Sequence, residues 1–71
     1  MNLQPYQQRV VEEKAELDKK LSRLEAFMNS ISFIEIDAQD AHLLREQWRC
    51  MTDYSNCLSL RIERFSQEIV K

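Results

Sequence analysis

Within the stretch QWRCMTDYSNCLSLRIERF, residues 47–65, an ordinary hydrophobic seam runs beside a second helical stripe that carries Cys50, Tyr54, Cys57 and Arg61. Such a set could make a metal site, a disulfide, a ligand wall or a second packing surface. Cys50 and Cys57 lie seven residues apart, which on one helix separates their Cα atoms by about 10 Å along the axis. A disulfide needs a separation below roughly 7 Å, so a continuous helix cannot bridge them. No CxxC or HxxxH spacing exists, and His42, the single histidine, stands eight residues before Cys50. No metal site and no cofactor are expected from that donor set. Free cysteine is among the most buried residue types, so the expectation is two reduced thiols packed between helices.

Tyr54 and Arg61 admit two readings. They are either a half-buried tyrosine with an arginine snorkelling past it to water or to Glu63 or Glu68 of a neighbouring chain, or the wall of a ligand site. In the second, the ring stacks on a base and the guanidinium forks onto phosphate oxygens. The N-terminal region offers a comparable set in Tyr6, Arg9 and Lys14. Lys14 occupies a seam position, where a lysine fixes register at some cost in stability, or else reaches an anion held between chains. Catalysis is not expected: no acidic pair, nucleophile–base spacing or glycine-rich phosphate loop is present.

Two long helices must position these groups. Residues 5–29 open on Pro5, suited to a first helical turn. Val10, Lys14, Leu17, Leu21, Leu24 and Met28 then alternate at steps of 4 and 3, with Leu3 and Gln7 extending the phase backwards, the signature of a helix packed on another helix. A second helix over 38–69 repeats the pattern in Leu44, Trp48, Met51, Ser55, Leu58, Ile62, Phe65 and Ile69, with Asp37 as its N-cap and Asp40 in its first turn. Ser55 is the only polar member of that seam, and its hydroxyl can bond back to a carbonyl one turn earlier. The connector 30–37 holds Ile31, Phe33, Ile34 and Ile36, too apolar for a solvated loop and expected to fold over the closed end as a short extra turn. The fold class is therefore all-α: an antiparallel two-helix hairpin forming one domain over 1–71.

Composition agrees with helices. The chain of 71 residues has no glycine and one proline, is 44% hydrophobic and 31% charged, and carries a net charge of −2. Tight β-turns want glycine, and disorder wants fewer apolar residues. The charge balance argues against duplex nucleic acid as a partner. No apolar run approaches the roughly 18 residues that span a bilayer, and MNLQPYQQRVVEEK lacks the pattern of a signal peptide, so no membrane association and a cytoplasmic location are expected. Both helices hold more apolar surface than one partner covers: Val11, Ala15 and Phe27 beside the seam of the first, and on the second Leu43, Cys50, Tyr54 and Cys57 on one flank and Leu60 on another. A homo-oligomeric bundle is expected, since small chains commonly complete a core by self-association.

The runs YQQRVVEEKAELDKKLSRLEAFM, a middle Phe, and LLREQWRCMTDYSNCLSLRIERF, spanning residues 6–65, resemble a family of small phage and prophage helical-hairpin proteins related to a short protein of crAss-like phage. At the level of fold the chain is also similar to the anti-CBASS and anti-Thoeris sponge proteins, oligomeric hairpins that hold cyclic-nucleotide or ADP-ribose-type immune signals between subunits. The resemblance implies a non-catalytic anti-defence protein in the host cytosol. None of the sponges' ligand residues is carried over; Tyr6, Arg9, Lys14, Tyr54 and Arg61 are candidates by chemistry alone. The alternative is an oligomeric protein-binding module that docks on a host or phage protein, with Trp48, Phe27 and Phe33 as anchors.

Overall fold

The computed structural model describes residues 3–70, with side chains through residue 66. Three helices follow one another, α1 (Pro5–Met28), α2 (Ile31–Glu35) and α3 (Ala38–Val70), with no strand among the described residues. α1 starts on its proline, and Gln7 helps close the first turn by accepting the Gln4 N–H on Oε1 at 2.8 Å. Its end is made without glycine: the Asn29 side-chain amide donates to the Glu25 carbonyl at 2.9 Å, and the Ser30 hydroxyl to the Phe27 carbonyl at 2.6 Å. These bonds satisfy carbonyls that a helix end leaves open. The helix therefore stops at Met28, one residue short of the expected Asn29, which serves as its C-cap. Asp37 caps α3, its carboxylate accepting the Gln39 N–H at 3.4 Å while its carbonyl accepts the Ala41 N–H at 2.9 Å.

α1 packs along α3 in the opposite direction. Tyr6 meets Phe65, Lys14 meets Ser55 and Glu25 meets Trp48, so rising numbers on one helix face falling numbers on the other. The result is a rod of 53 × 15 × 15 Å. Its core is Val10, Leu17, Leu58 and Phe65, with Leu3, Met51 and Ile62 packed against it. Every one of these is a seam residue or continues the seam's phase. Leu58, 1% exposed, is the most completely buried side chain; hiding it from water is worth about 2 kcal/mol. Ile69 of the expected seam and Glu68 lie outside the described side chains.

The connector departs from its expected role. α2 is a single five-residue helical segment in which Phe33 turns inward, edge-on to Phe27 with ring centroids 6.0 Å apart and with the Arg45 guanidinium 5.2 Å over its face. Ile31 and Ile34, expected to cover the closed end, are 75% and 80% exposed. One helical turn can lay only one side on its neighbours, and Phe33 takes that side. In the single chain Cys50 and Cys57 are free and exposed, because a two-helix pair covers only the seam and leaves the neighbouring stripe bare, so their packing between helices would need a second copy.

Candidate functional site

Mid-rod, the two polar seam positions meet. Lys14 Nζ donates to Ser55 Oγ at 3.0 Å and to Asp18 Oδ2 at 2.7 Å, while Ser55 Oγ donates to Asp18 Oδ1 at 2.6 Å. The three side chains close a ring across the helix interface. Asp18 is held below the usual carboxylate range, chiefly by the Lys14 hydrogen bond and then by that of Ser55. Ser55 is buried, and its proton goes to a carboxylate while a cation sits on its lone pair. A hydroxyl so arranged is a bridge between two charges. The cluster's chemistry is therefore positional, and it settles Lys14 into the seam by the i,i+4 partner Asp18, which the sequence reading did not single out.

The remaining candidates are spread along the rod. Tyr6 packs edge-on against Phe65, centroids 6.2 Å apart, and its hydroxyl accepts from Gln7 Nε2 at 3.4 Å. Arg9 follows one turn later, and Arg61 precedes Phe65 by one turn on α3, so Tyr6, Arg9 and Arg61 share the open end of the helix pair. Arg9 and Arg61 are exposed and form no ion pair among the described residues. Tyr54, 44% exposed, lies beside Ser55 in the middle layer with Lys14. The chain thus places Lys14 and Tyr54 in one layer and Tyr6, Arg9 and Arg61 further towards the open end, about 8–12 Å along by helical rise.

At the closed end the side chains form a groove of about 360 Å³ lined by Glu25, Met28, Asn29 and Trp48. Trp48 is half-buried, and its indole N–H donates to Glu25 Oε2 at 2.9 Å. This pairing also escaped the sequence reading. Trp48 stands out in the α3 seam, but which α1 residue it meets depends on a register that periodicity alone leaves open. On the opposite face, Glu46, Arg49 and Asp53 form an exposed ladder, with Arg49 Nη2 3.1 Å from Glu46 and Nη1 3.8 Å from Asp53. The Arg49 hydrogen bond lowers the Glu46 carboxyl below its ordinary value. Among the described residues no group of three or more His, Cys, Asp or Glu side chains is placed to hold a metal ion, and no helix is long and apolar enough to cross a membrane.

A small helix pair with a polar register ring, a side groove and exposed cationic and aromatic side chains has the outline of a binding protein. Over residues 4–64 the chain matches the Sequestin family, and it belongs to that family of small phage proteins. It is similar to a protein of Enterobacteria phage T4, described as "Uncharacterized 7.5 kDa protein in denB-rIIB intergenic region". The two are 38% identical over 60 residues, covering 84% of this chain and 94% of the phage T4 protein. No solved structure matches the chain.

Proposed function

We propose that this protein sequesters a nucleotide immune second messenger of its host, holding it in clefts between copies of itself and doing no chemistry on it. Membership of the Sequestin family carries the reading, since the name is that of a sequestering protein and the relative belongs to a phage. The side chains supply what such a ligand requires. Arg9 and Arg61, without an ion pair among the described residues, are forks for phosphate oxygens, and Tyr6 and Tyr54 present ring surface, 48% and 44% exposed, for stacking on a base. Lys14 already gives two hydrogen bonds, so its contribution to an anion comes through its third proton.

Self-association fits the same surface. Leu43 is 55% exposed, and Cys50 and Cys57 lie open on the same stripe of the helix. A second copy covering that side would complete a core too small for one chain and create the intersubunit cleft. The protein would act as a single domain in the host cytosol, without a cofactor or a metal.

Thermal melting against a panel of cyclic di- and trinucleotides and cyclic ADP-ribose isomers tests the reading. A messenger at a hundred times its dissociation constant adds about 2.7 kcal/mol to stability and is released intact when the complex is denatured. A messenger released chemically altered would overturn the non-catalytic part. No shift with any member would overturn sequestration and leave a protein partner docking on Trp48, Phe27 and Phe33 as the surviving alternative.

A further inference from the structure

We infer that the closed-end groove lined by Glu25, Met28, Asn29 and Trp48 reads a purine base through its exocyclic amine. The ligand class rests on the sequestration reading; the site rests on what the groove offers. Its volume of about 360 Å³ falls within the span of small-molecule clefts, roughly 300–1,000 Å³. The indole of Trp48 is a flat face, anchored by its N–H on Glu25 Oε2 at 2.9 Å. A base stacks on such a face.

The hydrogen-bonding character of the groove selects the edge of that base. The indole N–H is spent on Glu25, and the Asn29 amide nitrogen already donates to the Glu25 carbonyl at 2.9 Å. Glu25 Oε1 and the Asn29 side-chain oxygen take no hydrogen bond among the described residues, and both are acceptors. Met28 adds a polarisable apolar wall. The lining side chains include one carboxylate and no cation, so a phosphate is repelled and a neutral, flat group with N–H donors on its rim is favoured. Adenine and guanine each carry an exocyclic amine. Hypoxanthine lacks one and turns a carbonyl oxygen where adenine has its donor.

The test uses the protein's own reporter, because Trp48 is its single tryptophan. The full chain is titrated with AMP, GMP and IMP, which carry the same phosphate, and Trp48 fluorescence is followed. Saturable quenching by AMP or GMP with a half-saturation about tenfold below that of IMP is the expected result, as one lost hydrogen bond to a charged acceptor implies. The AMP and GMP arms identify which amine is read. Glu25→Gln, an exposed position whose change leaves the core intact, should narrow or reverse the preference, because an amide N–H can donate to the hypoxanthine oxygen. Equal quenching by all three, no saturable quenching by any, or discrimination unchanged in Glu25→Gln would overturn the inference. Trp48→Phe, with its fold checked by circular dichroism, separates this failure from that of sequestration. If a messenger that shifts the wild-type melt shifts the variant equally, the groove is not the base site and sequestration stands.

Discussion

Lys14 Nζ donates to Ser55 Oγ across the helix interface at 3.0 Å, joining the only cationic position of the α1 seam to the only hydroxyl of the α3 seam. Neither residue suits a greasy layer alone. Together with Asp18 they satisfy each other, and a slip of one heptad would set Lys14 against Ile62 or Trp48, leaving the buried Ser55 hydroxyl without its charged partners. The cluster therefore selects register more than it adds stability. Ser55→Ala removes two charge-assisted bonds while leaving the direct Lys14–Asp18 pair at 2.7 Å. The expected loss is about 1 kcal/mol, equivalent to a fall in melting temperature of roughly 4–8 °C at fixed protein concentration. Ser55→Leu should fill the layer yet press apolar bulk against the Lys14–Asp18 pair, which loses its hydroxyl bridge, and calorimetry should find it less stable than Ser55→Ala despite its added apolar area.

The same cluster makes stability depend on acidity. Asp18 has a folded-state pKa lowered from the ordinary value, so its carboxylate contributes stability that is fully present above the unfolded-state value near pH 4. That contribution is lost as pH falls through the unfolded-state value and then the lower folded one. The side chain is 45% exposed, so the effect is modest. Urea midpoints measured at pH 6 and pH 3 should fall for the wild type, with a smaller fall for Asp18→Asn. Glu46 is also lowered and titrates in both proteins, so the difference between them isolates Asp18. Identical pH dependence in the two would remove Asp18 from the account.

The long helices and their facing stripes were legible because seam spacing is a local property: Val10, Leu17, Leu58 and Phe65 form the core and all lie on the stripes that periodicity picks out. The site was less legible, for a physical reason. Periodicity says which face a residue occupies and nothing about which residue on the other helix it meets, so the Lys14–Ser55 and Glu25–Trp48 pairs required the register. Lys14 with Asp18 at i,i+4 was a readable signal that pointed to a paired, rather than free, ammonium. Burial of Ile31 and Ile34 was over-read from composition, since hydrophobicity gives the tendency and a five-residue helix has room on its inner side for Phe33 alone.

Thr52 holds an opportunity of the opposite kind. Its hydroxyl oxygen is buried and has no hydrogen-bond partner among the described residues. Hiding an unsatisfied hydroxyl costs roughly 1–3 kcal/mol, and valine keeps the shape without the polar atom. Thr52→Val should therefore raise stability by about 1 kcal/mol in chemical denaturation, with an unchanged m-value as the sign that the unfolded state is not the cause. A loss of stability would mean that the hydroxyl finds a partner in solution, water or a neighbouring copy.

Cys50 and Cys57 turn the assembly question into a chemical measurement. Both thiols are exposed on the isolated helix pair, and they share a stripe with Tyr54 and Arg61. Were the chain to remain solitary, each would react with a maleimide or Ellman's reagent at the rate of a free thiol whatever the protein concentration. If a second copy covers the stripe, labelling slows as concentration rises, over the range in which light scattering reports a growing mass. Leu43→Glu supplies the control, since Leu43 shares the stripe and a carboxylate at a site 55% exposed in the single chain leaves that chain intact while opposing any apolar contact there. The variant should label rapidly at every concentration. Rapid labelling of the wild type at concentrations where its mass is already a multiple of the chain would show that the copies meet through another face, and the intersubunit cleft would then have to be built without Tyr54 and Arg61.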